Sequence, residues 1–455
     1  MSSKPHSHAQ WSSRLAFTLA AVGSSVGLGN IWKFPYMTGE SGGGAFVLVY
    51  LICILLIGLP ILMSEWLLGR LGQNNPISTM SHISARLKRS PAWVLIGVAG
   101  VLGAYLILSF YSVIGGWALA FIADAASGSF ETLTSDTAGS LFGGLLGDPT
   151  TLLAWHSAFM LMVILVVAGG VAGGLERAAK ILMPLLAVML IVLVGYAATT
   201  DGFADAAAWL LTPDFSKLDK DGVLAAMGHA FFTLSLGMGI MMAYGSYLSD
   251  DVNIGRTALV VVVLDTVIAL LAGLAIFPVV FSNGLDAAAG PGLIFQTLPL
   301  AFGHMPGGEV FGVVFFVLLV FAAWTSGISL LEPIVEWLEE KTPMSRVGSA
   351  WVAGIATWLL GIATILSFNL WSDVAPLGMF AKFEGMTIFD LLDYATSKLM
   401  LPLTGLATIV FVGWFMGRDE VRSQLNMSDS AFSLWSFVAR YIAPIGVVVV
   451  FASSL

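Results

Sequence analysis

Apolar residues in this chain are gathered into long blocks separated by short polar joints. A helix needs about 20 such residues to cross a bilayer. Eleven blocks qualify, at roughly 15–37, 44–70, 91–124, 152–171, 177–198, 224–247, 256–281, 308–338, 348–367, 387–416 and 430–453. The longest joints, around 125–150 and 199–222, are rich in Gly, Asp, Ser and Thr. The pattern predicts an all-α membrane protein of eleven transmembrane helices, with no stretch left over for a soluble domain.

Two blocks are interrupted where a spanning helix wants leucine. Residues 23–30 read GSSVGLGN and residues 233–239 read TLSLGMG. Gly23 falls about 12 Å into its block at 1.5 Å per residue, and Thr233 a similar distance into its own. Five helices separate the two interruptions, and an odd number reverses their direction. The pair points to an inverted repeat of helices 1–5 and 6–10, with helices 1 and 6 broken. Repeat one runs over about 15–198, repeat two over about 224–416, and an extra helix follows at about 430–453, all within one membrane domain spanning 1–455. The alternative is close helix packing through small residues.

Composition agrees with the blocks. Hydrophobic residues make up 58% of the chain and charged residues 10%, against roughly 25% charged in soluble proteins. The net charge of −9 reflects acidic loops, and nothing is basic enough to bind nucleic acid. Cys53 is the single cysteine, so no intrachain disulfide forms. The polar start MSSKPHSHAQWSSR leads into a long apolar block without a clear cleavage site. It reads as a first transmembrane helix and not as a removed signal peptide. With the N-terminus inside, Lys4, Arg14, Arg70, Arg86, Lys88, Arg89, Arg177, Lys180, Arg256, Lys341, Arg346, Arg418 and Arg422 fall at cytoplasmic ends. Only Lys217, Lys220 and Lys382 fall outside. The positive-inside rule therefore predicts a cytoplasmic N-terminus and an external C-terminus in a cell membrane.

Backbone groups cannot go unpaired in hydrocarbon, so an unwound segment lines a cavity or binds something. Freed carbonyls are hard ligands for a small cation, and amides at the next half-helix suit a carboxylate. Asn30, Thr233, Ser235, Thr325 and Ser326 add neutral oxygen donors near mid-depth. Asp265 lies roughly 13 Å into its span. A lone carboxylate there costs on the order of 3 kcal/mol or more, so a bound cation or a proton is its natural partner. Lys33 and Asp393 either pair as an external gate or snorkel separately to the outer interface. Glu65 either accepts hydrogen bonds from broken backbone or pairs with Arg70. Arg440 lies inside the eleventh block without an evident role. His156 and His229 lack metal-ligand spacing, and no P-loop, nucleophile elbow or HExxH motif occurs. An ATP-driven pump or an enzyme is therefore not indicated.

The motifs themselves are family-like. RLAFTLAAVGSSVGLGNIWKFPY, ESGGGAFVLVY and GLPILMSEWLLGR resemble the opening of the neurotransmitter:sodium symporter family. AFFTLSLGMG, LAGLAIFP and WTSGISLLEP resemble its sixth, seventh and eighth helices. The likeness runs from about Trp11 to the eleventh block and is nearest to the bacterial amino-acid transporters. It implies a first sodium at the Ser25 carbonyl, Asn30, Thr233, Asp265 and the substrate carboxylate. It implies a second at the carbonyls of Gly23, Val26 and Ala322 and the hydroxyls of Thr325 and Ser326. In SFYSVIGGW, Tyr111 takes the position whose hydroxyl meets the substrate carboxylate. Phe232 takes the place of the aromatic lid. The implied pocket has Ser24, Ser25, Gly27, Gly29, Ile107 and Tyr111 on one side. Phe232, Thr233, Ser235, Met238, Ser326, Ser329 and Leu330 complete it. Lys33 and Asp393 match an outer gate, and Trp11, His8 and Glu340 an inner one. Gly174 and Pro184 form a Gly-X9-Pro pattern, which implies either local unwinding of helix five or a static proline kink.

Departures from the family pattern sharpen the expectation. Gly27 occupies the place where monoamine transporters carry an aspartate, so a free amino-acid carboxylate is the implied sodium partner. The wall is mostly apolar, with adaptable Met238. The implied cargo is a neutral aliphatic or aromatic L-amino acid. Asp265 replaces the usual asparagine, Ala269 lies where chloride-dependent members have serine, and His229 stands in for glutamine beside Tyr50. A fixed carboxylate supplies the charge that chloride otherwise brings, so two Na⁺ sites and no chloride are expected. His8 falls where an arginine is usual and Glu340 where an aspartate is. The implied activity is sodium-coupled symport by alternating access in a lipid bilayer. A proton-coupled transporter of the same fold is the nearest rival, and an ion channel a remote one. Oligomeric state is not legible in the sequence.

Overall fold

The computed structural model describes residues 10–288, 290 and 292–454. The chain opens with α1 (Arg14–Ser25) and α2 (Gly29–Glu40), followed by α3 (Gly44–Gly72), α4 (Pro91–Ala126), α5 (Pro149–Ala168) and α6 (Val171–Ala197). Then come α7 (Lys220–Thr233) and α8 (Ile240–Ser246). The rest of the long helices are α9 (Ile254–Ser282), α10 (Gly308–Lys341), α11 (Arg346–Ser367), α12 (Ile388–Phe415) and α13 (Asp429–Val449). Among the described residues, nine helices are long and apolar enough to cross a membrane, and the bent pair α1–α2 makes a tenth. The sixth predicted block is cut into α7 and α8, of 14 and 7 residues. Neither piece is long enough to cross alone.

Local chemistry accounts for both interruptions. The Ser13 hydroxyl accepts the Ala16 N–H at 3.1 Å and starts α1. At Val26 the backbone turns extended, with φ −75° and ψ 103°. Helix resumes at Gly29, bent 47° from α1. After Thr233 the chain takes positive φ at Ser235, Gly237 and Gly239, a conformation that ends a helix and that glycine adopts without strain. A Cβ on Gly237 would also lie 2.5 Å from the Leu401 carbonyl oxygen.

The central position belongs to α10. In its most apolar window 72% of residues are buried, against 33% for α6 and α13. It packs along α4 and also touches α1, α5, α6 and α11. On α6, Val188, Ile191 and Val192 stay exposed, as expected of a lipid-facing surface.

Two open points of the sequence close here. Glu65 accepts the Gly237 N–H at 2.7 Å, so it serves the broken backbone. Arg70 instead donates to the Val252 carbonyl and to Gln424. Arg440 donates from Nε to the Gly413 carbonyl at 2.7 Å, in the last turn of α12, with its guanidinium 5.9 Å from the Trp414 ring. A cation there complements the negative end of the helix. The Gly174–Pro184 stretch is helical in this structure. Helix runs through Pro184 from Glu176 to Ala197, preceded by a widened turn at Val171–Leu175. A Cβ on Gly174 would fall 1.9 Å from the Val166 carbonyl oxygen, so this glycine permits close packing.

Candidate functional site at the two helix breaks

The two breaks lie against each other. Ser235 donates from its hydroxyl to the Ser24 carbonyl at 2.9 Å. Ser326, on α10, donates to the same carbonyl at 3.2 Å, and Ser24 donates to the Ser329 hydroxyl at 2.9 Å. Backbone freed in one break is thus answered by the other break and by the central helix, as burial requires.

A cavity of about 20 Å³ sits at this junction, room for about one water. Ser24, Ser25, Gly27 and Gly29 line it from the first break. Ile107 and Tyr111 close it from α4, Phe232, Ser235 and Met238 from the second break, and Ser326 and Leu330 from α10. Of the thirteen residues expected around a pocket, Thr233 and Ser329 alone do not line it. Thr233 turns to Asp265, and Ser329 holds Ser24 from behind. Tyr111 accepts the Leu28 N–H at 3.2 Å through its hydroxyl oxygen. A Cβ on Gly27 would lie 2.3 Å from Ser326 Oγ and 2.9 Å from the Tyr111 oxygen. Any side chain at position 27 would therefore fill the cavity.

Beside the cavity lies a polar cluster built on Asp265, which is fully buried in α9. Asn30 donates from Nδ2 to the Asp265 carboxylate at 2.9 Å, and its own Oδ1 accepts the Gly27 N–H at 3.1 Å. Thr233 donates to the carboxylate at 3.0 Å and Tyr50 at 3.3 Å. No lysine or arginine pairs with it among the described residues. These neutral donors satisfy the carboxyl oxygens but supply no opposite charge. A monovalent cation 4 Å away would add about 4 kcal/mol at an effective dielectric of 20. The Asn30, Thr233 and Asp265 oxygens are hard donors of the kind alkali cations take.

A second oxygen group forms where α1 ends on α10. Ser326 Oγ lies 3.5 Å from the Val26 carbonyl, and Thr325 Oγ 3.1 Å from the Ala322 carbonyl. A Cβ on Gly23 would touch Thr325 at 3.5 Å. The five residues of the second expected ion group are therefore neighbours.

The two outer gate positions share a lining without an ion pair. Lys33 and Asp393 line the same two cavities, of about 290 and 260 Å³, but no ion pair joins them. Lys33 Nζ instead lies 4.4 Å over the Phe232 ring, and Asp393 accepts the Ser397 hydroxyl. The aromatic face offers the ammonium a nearer partner. At the other end, Trp11 is buried and donates its indole N–H to the Tyr244 carbonyl at 3.1 Å. Glu340 accepts the Asn75 N–H at 2.7 Å. His8 lies outside the described residues.

Sequence reasoning missed a carboxylate row on α10. Glu332 pairs with Arg346 and accepts the Tyr247 hydroxyl at 2.8 Å, and Glu336 accepts the Ser246 hydroxyl at 3.0 Å. The signal was present as glutamates four residues apart at 332, 336 and 340, which share a helix face.

Comparison with known proteins follows the same lines. The chain matches the model of the Sodium:neurotransmitter symporter family over residues 8–134 and 147–455. It is similar to a protein of Bacillus subtilis (strain 168) named uncharacterized sodium-dependent transporter YhdH, 39% identical over 97% of this chain and 96% of that one. An uncharacterized sodium-dependent transporter of Haemophilus influenzae is 36% identical over 98% of both chains. Among solved structures, MhsT in complex with L-phenylalanine superposes with a TM-score of 0.89 at 42% identity, over 98% of this chain and 100% of that one.

Proposed function

Because the chain belongs to the sodium:neurotransmitter symporter family, we propose that it imports a neutral apolar L-amino acid with Na⁺, by alternating access. The observation that carries this reading is the position of Asp265. It is a buried carboxylate without a cationic partner among the described residues, directly beside a small cavity where two broken helices meet.

In this reading one Na⁺ is held by the Ser25 carbonyl, Asn30, Thr233, Asp265 and the substrate carboxylate. A second is held by Gly23, Val26, Ala322, Thr325 and Ser326. The substrate carboxylate also meets Tyr111 and the amides after the first break, where the half-helix dipole favours negative charge. The apolar side chain lies against Ile107, Phe232, Met238 and Leu330. The cavity is smaller than an amino acid, so Phe232 and Met238 shift to admit one. The solved complex of MhsT with L-phenylalanine supports an aromatic cargo.

Asp265 supplies a fixed negative charge beside Tyr50, whose ring centre lies 5.3 Å from that of His229. Ala269, one turn further on α9, itself carries no hydroxyl to offer an anion. Transport is therefore chloride-independent in this reading. In this reading eleven spans, with α1–α2 and α7–α8 as broken ones, put the termini on opposite sides, and the Lys and Arg bias of the loops favours a cytoplasmic N-terminus. Helices 1–5 and 6–10 form the two inverted halves of one domain. Lys33, Phe232 and Asp393 close the outer side, and Trp11 closes the inner side.

The test is uptake into proteoliposomes with one labelled amino acid and the twenty unlabelled competitors, with and without Na⁺ and Cl⁻. Competition by aliphatic and aromatic amino acids, only with Na⁺ and regardless of Cl⁻, is the expected result. Uptake driven by a pH gradient without sodium would overturn it.

A further inference from the structure

The carboxylate row on α10 continues the second ion group in one direction. Glu336 follows Thr325 by eleven residues, which is three helical turns plus about 20°, or roughly 16 Å along the axis. The two side chains therefore leave the same face of α10. Ser329 and Glu332 lie between them on that face. In the orientation argued above, this line leads to the cytoplasm.

Glu336 is the member of the row left incompletely paired. It is 4% exposed. One carboxylate oxygen accepts the Ser246 hydroxyl at 3.0 Å, and the other has no partner. The nearby cations are committed elsewhere. Arg346 pairs with Glu332 and, at 3.5 Å, with Glu339. Glu340 is satisfied by Asn75. Lys341 ends the helix at its exposed tip. Glu336 faces a cavity of about 820 Å³ that Tyr247, His82, Glu339, Glu340, Lys341 and Arg346 also line. The cavity offers the carboxyl oxygens of Glu336, Glu339 and Glu340, beside Lys341 and an Arg346 already held by Glu332 and Glu339, a lining rich in oxygen donors that a cation can enter. No group of three His, Cys, Asp or Glu side chains converges for a chelated metal among the described residues. The chemistry suits a monovalent cation that keeps part of its water.

We propose that Glu336 is an exit station for Na⁺, receiving the ion released at Thr325 and Ser326 and passing it to the cytoplasmic cavity. The proposal rests on the reading of Gly23, Val26, Ala322, Thr325 and Ser326 as a sodium site. Its role is kinetic: a carboxylate part-way along a low-dielectric path lowers the barrier to leaving.

Two measurements test it. Crystals of the full chain grown with thallium(I) in place of sodium should show anomalous density at Thr325 and at the Glu336 carboxylate. Density at Thr325 with none at Glu336 would overturn the exit station alone. Absence at Thr325 would overturn the second sodium site, and the station with it. In sided proteoliposomes, Glu336→Gln should raise the lumenal Na⁺ concentration that half-inhibits uptake by about fivefold or more, the scale of a lost local cation enrichment. Glu336→Asp should restore it. An unchanged lumenal sodium curve in a folded Glu336→Gln protein would sink the proposal. Should that variant not fold, the thallium density of the natural chain decides.

Discussion

Asn30 and Asp265, 235 positions apart in the chain, are joined by a 2.9 Å hydrogen bond from the Asn30 amide to the Asp265 carboxylate. The same Asn30 side chain accepts the Gly27 N–H. One residue thus couples the unwound backbone of the first break to the buried charge. Asn30→Ala removes both contacts and one proposed sodium ligand. Loss of a hydrogen bond to a charged group costs about 1.5–3 kcal/mol. The Na⁺ concentration that half-saturates substrate binding should therefore rise about tenfold or more. Scintillation proximity binding measures it, and a sodium curve identical to that of the natural protein would show the first ion site is misplaced.

Asp265→Asn keeps the shape of the cluster and removes its charge. Thr233 and Tyr50 can still donate to the amide oxygen, so the fold should survive. Uptake in chloride-free buffer should fall about tenfold, equivalent to about 1.4 kcal/mol. Added chloride should recover part of it. Undiminished chloride-free uptake would end the idea that this carboxylate replaces an anion.

Gly27→Ala places a methyl group 2.3 Å from Ser326 Oγ and 2.9 Å from the Tyr111 oxygen. Overpacking of this kind costs about 1–3 kcal/mol. The added carbon occupies the volume where the ligand carboxylate would sit. Substrate affinity should drop at least about tenfold, with a smaller change in melting temperature. Equal losses of both would mean that Gly27 serves folding alone.

A pH-dependent contribution to stability is expected outside the membrane, at the start of α5. Asp148 accepts the Thr151 hydroxyl at 2.6 Å, the Thr151 N–H at 3.2 Å and the Thr150 N–H at 2.9 Å. These bonds, the Thr151 hydroxyl first, hold its carboxyl below the usual range. A depressed folded value means the stabilisation is present above the unfolded value of about 3.9 and is lost as pH falls through the folded one. Asp148→Ala should therefore lower the melting temperature at pH 7, and the difference from the natural protein should shrink below about pH 4. A difference that stays constant down to pH 2 would assign the effect to something other than this cap.

Much of the membrane architecture was legible because lipid imposes a simple rule: each span must be long and apolar, and each exception must have a reason. GSSVGLGN and TLSLGMG broke that rule, and both are breaks in the structure. Single-residue consequences were less legible. Lys33 and Asp393 share two cavities, yet the ammonium lies over Phe232. The Gly174 and Pro184 pattern left unwinding and a static kink open, and in this structure helix runs through Pro184 while Gly174 packs closely on Val166. The glutamates at 332 and 336 carried a helical spacing, but nothing in that spacing says which of them Arg346 reaches.

By itself the sequence determined the membrane class, the places where helices stop and the oxygen-bearing residues at those places. These follow from local physics: hydrophobic length, glycine conformations, and the cost of a charge in hydrocarbon. Which side chains meet was decided only by tertiary structure. Asn30 reaches Asp265, Glu65 reaches Gly237, and Arg440 reaches Gly413 across 27 to 235 positions of chain. Such contacts depend on how α9, α10 and α12 are rotated and stacked. That rotation is set by the packing of many side chains at once, which no local pattern encodes.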